Sequence, residues 1–150
     1  MSDTGPEGLA RALALLQSGR LTEAVSLLQS YLEAHPNDVD ALHNLGMALS
    51  DLGDLDEARL YLLRALDLAP QHTNTLVALG IASDRGRDLD AALGYLRQAV
   101  EQDPENPYAQ RSLGAALAKL GRYAEAEPHL RGAYALLPDD QATVYGLALD

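Results

Sequence analysis

An all-α array, four copies of one helical hairpin, is the fold this sequence predicts, on three observations. First, whole columns of residues recur every 34 positions: Pro36, Pro70, Pro104 and Pro138; Ala24, Ala58, Ala92 and Ala126; Leu28, Leu62, Leu96 and Leu130; and the small residues Ala12, Gly46, Gly80, Gly114 and Ala148. Second, within each period the apolar residues fall three and four apart, which places them on one face of a helix with about 3.6 residues per turn. Third, each period is split by a polar, Gly-containing break and ends at a Pro. A period of roughly 20 to 50 residues marks a solenoid or other array whose units bury their apolar faces on one another.

The second period, 39–72, states the plan most openly. Leu42, Leu45, Gly46 and Leu49 share one face of a first helix, Asp51-Leu52-Gly53-Asp54 breaks it, and Ala58, Leu62, Ala65 and Leu66 share a face of a second helix that Pro70 stops. Leu45-Gly46, Ala58 and Pro70 match the motif of the tetratricopeptide repeat, and the chain resembles that family over nearly its whole length. Leu42, Leu49 and Leu62 stand where the family carries aromatics, which keeps those slots apolar. The resemblance implies a right-handed α-solenoid forming a single domain, with repeats at 5–38, 39–72, 73–106 and 107–140 and a partial fifth repeat, one extra helix, at 141–150. It also implies that the first helices line a concave groove in which an extended peptide or a partner helix is held.

In chain order, Thr4 and Glu7 form a capping box with Pro6 in the first turn. The first repeat then has helices near 6–18 and 21–34, broken at Gly19. It diverges most: Gly8 and Arg11 replace Leu42 and Leu45, and Tyr31 stands where later repeats have Ala65, Ala99 and Ala133, an adaptation to the end of an array. The third repeat has Ser83 in the Leu49 slot, and its turn, Asp84-Arg85-Gly86-Arg87-Asp88, places the Gly one residue early, so a different hairpin angle is expected. The fourth opens with Asn106 as cap and Pro107 as first helical residue, and Pro128 should kink its second helix. The small slots are needed where the two helices of a hairpin cross, Gly46 facing Ala58. Beyond Pro138 a further first helix, capped by Asp140, carries Val144, Leu147 and Ala148 inward with no following helix to cover them. The chain is then either a piece of a longer protein or makes an oligomer contact through these residues.

Composition narrows the function. The net charge of −11, from 22 acidic against 11 basic residues, argues against nucleic acid and anionic membranes, which need a basic face. There is no Cys, hence neither disulfide framework nor thiolate metal site. No apolar run approaches the roughly 20 residues of a membrane span and MSDTGPEG is no signal peptide, so a cytoplasmic protein is the default. His35, His43, His72 and His129 make no i, i+4 pair, and the acids Asp51, Asp54, Asp56 and Glu57, or Asp84, Asp88 and Asp90, do not follow a calcium-loop pattern. No nucleophile elbow, phosphate loop or dinucleotide fingerprint is present. The expectation is a protein that is not an enzyme and uses neither cofactor nor metal.

Function then rests on surface shape. Stepping by 34 along the first helices gives the groove: His43, Asn44 and Met47 in the second repeat, Asn74, Val77, Ile81 and Arg85 in the third, Tyr108, Arg111, Ser112 and Lys119 in the fourth, with Leu9 and Leu13 in the first. Leu13, Met47, Val77 and Ile81 would form an apolar floor. Tyr108, Arg85, Arg111 and Lys119 would make an amphipathic, locally basic part suited to a peptide with an apolar anchor and an acidic group; alternatively Arg111 pairs with Asp84 and the other cations only complete helix dipoles. Of the carboxylate clamp carried by chaperone-binding members of the family, only Asn44 has a counterpart, the other slots holding Leu9, Leu13, Asn74 and Ala78, so a chaperone-tail receptor is not expected. The reading is an interaction scaffold or adaptor with a protein or peptide ligand. Two alternatives stand beside it: the substrate-recruiting arm of a larger enzyme such as a glycosyltransferase, or a structural protein self-assembling through Val144, Leu147 and Ala148.

Overall fold

Four backbone turns set the architecture of this computed structural model, which describes residues 5–137. Among them are eight helices: α1 (Pro6–Gln17), α2 (Leu21–Ala34), α3 (Val39–Leu52), α4 (Leu55–Leu68), α5 (Thr73–Arg85), α6 (Leu89–Gln102), α7 (Pro107–Lys119) and α8 (Tyr123–Leu136). Each odd helix pairs with the even helix after it. Three of the four turns place a Gly in the left-handed region, Gly19 at φ 78°, Gly53 at 89° and Gly121 at 76°. In the third hairpin Gly86 stays right-handed at φ −80°, and Arg87 takes the left-handed position at φ 64°.

All four turns nonetheless make the same two hydrogen bonds. The left-handed residue donates to the carbonyl three back (Gly53 N to Ser50 O, 3.0 Å; Arg87 N to Asp84 O, 2.9 Å), and the next residue donates to the carbonyl five back (Asp54 N to Leu49 O, 2.9 Å; Asp88 N to Ser83 O, 2.9 Å). This is the Schellman closure, which satisfies carbonyls that a helix end leaves open. The displaced Gly86, which suggested an altered hairpin, therefore leaves the closure of its turn unchanged; Arg87 accepts an unfavourable φ instead.

The chain divides into two compact units, 1–70 and 71–150. In the first, Ala12, Leu28, Tyr31, Leu32, Ala41, Leu42, Leu45, Leu49, Ala58 and Ala65 form one core, against which Leu9, Leu16, Val25 and Tyr61 pack. Tyr31 is part of that core: its hydroxyl donates to Asp38 Oδ2 at 2.7 Å, while Asp38 Oδ1 accepts from Ala41 N at 3.1 Å and so caps α3. One carboxylate thus ties the end of α2 to the start of α3. The cap of α1 is Gly5, with no side-chain capping bond; Thr4 of the expected Thr4–Glu7 box lies outside the described residues.

In the second unit Leu76, Leu79, Leu96, Leu113 and Leu117 are among the fully buried side chains. Asp88 caps α6 through Ala91 N, and Asn106 caps α7 through Tyr108 N and Ala109 N. Helix α8 continues from Tyr123 to Leu136 with Pro128 inside it.

The small slots hold helices close. A Cβ built on Gly46 would lie 2.4 Å from Leu62 Cγ and 3.2 Å from the Ala58 carbonyl oxygen. On Gly80 it would lie 2.5 Å from Leu96 Cγ, and on Gly114 2.7 Å from Leu130 Cγ. The Leu column, more than the Ala column, is what requires the Gly.

Candidate interaction surface

The first helices of each unit carry residues that the 34-residue plan does not specify. In the first unit these lie on α3. Met47 is 41% exposed, His43 and Asn44 are half-buried, and the Asn44 side-chain amide donates to Asp40 O at 2.8 Å, which fixes its orientation along the helix. On α1, Leu9 packs on the core and Leu13 is half-buried.

In the second unit α5 and α7 lie side by side, tied near both ends. Asn106 Nδ2 donates to Asn74 Oδ1 at 2.8 Å, and Lys119 Nζ donates to Asp84 Oδ2 at 2.5 Å. Asn74 therefore steadies the cap of α7, and the charge of Lys119 is already met by Asp84. Val77 is only 5% exposed, so it is a packing residue and not part of an open apolar floor. Ile81 and Ser112 are half-buried and Arg85 is exposed. The most prominent feature is Tyr108, 47% exposed, with the Arg111 guanidinium carbon 5.4 Å from its ring centroid, within the range of a cation–π contact.

On the other side of this unit, Glu125 receives Arg122 at 2.6 Å and Arg97 at 3.4 Å. The hydrogen bond from Arg122 holds the Glu125 carboxyl below its usual range against the opposing effect of burial, and Arg97 adds a smaller lowering effect. Nearby, His129 Nδ1–H donates to Gln110 Oε1 at 2.8 Å, and Gln110 Nε2 donates to Pro104 O at 2.8 Å. Gln110 stands in the column of Leu42 and Leu76, so a polar bridge replaces an apolar contact there. Burial, then the charge of Arg97, lowers the His129 pKa, with Glu125 opposing.

Two exposed residues on a second helix escaped the groove reasoning. Leu60 is 61% and Leu63 44% exposed on α4. Only their columns, which hold no large apolar residue in any other repeat, could have pointed to them. Val144, Leu147 and Ala148 lie outside the described residues. Among the described residues no group of three or more His, Cys, Asp or Glu is placed to hold a metal ion, and no helix is long and apolar enough to cross a membrane.

Paired helices with interlocked Gly and Leu columns define an all-α helical-repeat protein of the class that serves as protein–protein interaction scaffolds. The tetratricopeptide repeat model matches residues 9–73 and 77–141, and the chain belongs to that family. Among solved structures, a MamA point mutant is 29% identical with a TM-score of 0.71, covering 94% of this chain and 82% of that one. TTC0263, a thermophilic TPR protein of Thermus thermophilus, is 25% identical with a TM-score of 0.85, covering 94% of this chain and 78% of its own. MamA AMB-1 is 29% identical at a TM-score of 0.70, covering 93% and 82%. No curated protein matches the chain significantly.

Proposed function

We propose that the protein is a non-catalytic adaptor that holds an extended peptide or a partner helix on the exposed first-helix face of each unit. The observation that carries this reading is an exposed apolar side chain off the repeat columns on a first helix of each unit: Met47 on α3 and Tyr108 on α7. Neither column needs that residue for packing, and burying an aromatic ring or a Met against a partner is how a few interface residues come to supply most of the affinity. Arg111 beside Tyr108 suits a ligand with an acidic group next to its apolar anchor. In the first unit His43 and Asn44, the latter oriented by its bond to Asp40, offer polar contacts beside Met47; in the second, Ile81, Arg85 and Ser112 offer polar and apolar contacts on α5 and α7.

The test is to select peptides from a random displayed library on the intact chain and to measure their Kd against surface variants. Met47→Asp and Tyr108→Ala should each weaken the selected peptides by about tenfold or more. Peptides that bind both variants as tightly as the parent would remove the first-helix faces from the account.

A further inference from the structure

The outer face of α4 carries an apolar pair that the repeat plan does not require. Leu60 and Leu63 are one helical turn apart, 61% and 44% exposed, on the side of α4 opposite the fully buried Ala58, Leu62 and Ala65. Their columns hold Ser26, Gly94 and Pro128 at the first position, and Gln29, Arg97 and Arg131 at the second. The same hairpin is therefore built three more times with no large aliphatic side chain in either slot. A single exposed Leu is ordinary on a protein surface. Here two of them stand together where the other repeats are small or polar.

The surroundings specify what could cover them. Asp56 lies four residues before Leu60 and Asp67 four after Leu63, both exposed, so the solvent-facing stripe of α4 reads acid, Leu, Leu, acid. From Asp56 to Asp67 it runs about 16 Å, three helical turns. Glu57 and Asp54, also exposed, add negative charge at its N-terminal end. Two Arg residues border the stripe: Arg59 is exposed, and Arg64 is turned to its own chain, its Nη2 donating to Pro36 O at 3.0 Å.

We infer that this stripe is a second docking surface, for a basic amphipathic helix. The partner helix places two apolar anchors about one turn apart over Leu60 and Leu63 and sets Lys or Arg against Asp56 and Asp67, the helix-on-helix mode of recognition by i, i+3 and i, i+4 anchors. An acidic stripe repels anionic lipid, and in a chain of net charge −11 two copies of it repel one another. The surface is separate from the first-helix faces, and either can fail without the other.

The experiment is calorimetric titration of the intact chain with a synthetic Leu/Lys amphipathic helix of about 18 residues, long enough to hold a helix on contact, at low and at high ionic strength. The same titration is made on L60S/L63S, on D56N/D67N and on Met47→Asp. Leu60→Ser with Leu63→Ser should weaken the peptide by about tenfold or more. The Asp56→Asn, Asp67→Asn pair should weaken it severalfold at low salt and flatten its salt dependence, and Met47→Asp should leave it unchanged. Because the substituted side chains are exposed, thermal midpoints equal to that of the parent confirm that all three proteins are folded. Equal affinity of the parent and L60S/L63S, or loss of binding on Met47→Asp instead, would overturn the inference. Self-association of the parent that disappears in L60S/L63S would show a second copy on this face and overturn it as well.

Discussion

Hairpins α3/α4 and α5/α6 follow one plan and differ in what that plan leaves open. Both interlock a Gly with a Leu, Gly46 with Leu62 and Gly80 with Leu96, and both close their turn with the same pair of hydrogen bonds. They differ at the left-handed residue, Gly53 against Arg87; at the slot before the turn, where Leu49 and Ser83 are equally buried; and on the outer face of the second helix, Leu60 and Leu63 against Gly94 and Arg97. The crossing and the backbone closure define the hairpin. The left-handed residue adjusts its stability by a small amount, and the outer face is free to acquire a role of its own.

The largest test of this comparison fills the shared crossing. Gly46→Leu and Gly80→Leu should each destabilise the protein by on the order of 1–3 kcal/mol through overpacking against Leu62 and Leu96, measured by denaturant unfolding. A cost at one site and none at the other would show that the two hairpins are not built alike. Next comes the turn: Gly53→Arg should cost about 1–2 kcal/mol, the usual penalty for a left-handed residue with a side chain. Arg87→Gly should return somewhat less than about 1 kcal/mol, because Gly also gains freedom in the unfolded chain. A stabilising Gly53→Arg would contradict the geometry of both turns.

The smaller effects lie at the links between hairpins. Tyr31→Phe removes the hydrogen bond to Asp38 and should cost about 1 kcal/mol. The bond to Asp38, then burial, then the Asp38 charge raise the Tyr31 pKa above its ordinary value of 10.0. Its contribution is therefore complete below pH about 10 and is lost as pH rises through the folded-state value; the alkaline fall in thermal midpoint should be shallower in Tyr31→Phe. His129 has the opposite sign. Its pKa is lowered from 6.5, so its contribution is complete above that value and is lost as pH falls through the folded-state value. The thermal midpoint should drop slightly between pH 7 and 5, and less so in His129→Gln. Titration of the His129 ring by NMR at or above 6.5 would contradict the sign.

Helix limits were legible because Gly, Pro and apolar periodicity are local signals. Helices expected near 6–18 and 21–34 are Pro6–Gln17 and Leu21–Ala34. What stayed hidden depends on where side chains go. Tyr31 in an Ala column reads as an adaptation to the end of an array, and what the column does not reveal is that its ring joins the core and its hydroxyl finds Asp38. Val77 steps onto the groove by register, yet it is buried, since a column fixes a residue's angle on its helix and says nothing of what covers it. The early Gly86 does not reveal that the turn keeps its closure, the two hydrogen bonds outweighing the strain of Arg87 in the left-handed region. Lys119 could be placed on the first-helix face, while its pairing with Asp84, 35 residues away, could not be read from spacing alone. Leu60 and Leu63 were visible as breaks in their columns, and become informative only once their exposure is known.

The central claim is that the first-helix faces bind the partner. Its most direct test is NMR mapping of amide shifts when a library-selected peptide is added to the intact labelled chain. The account predicts shifts concentrated on a first-helix face, around Met47 on α3 with their loss in Met47→Asp, or around Ile81 and Tyr108 on α5 and α7 with their loss in Tyr108→Ala. Shifts confined to the second helices, with those three residues unmoved, would contradict it.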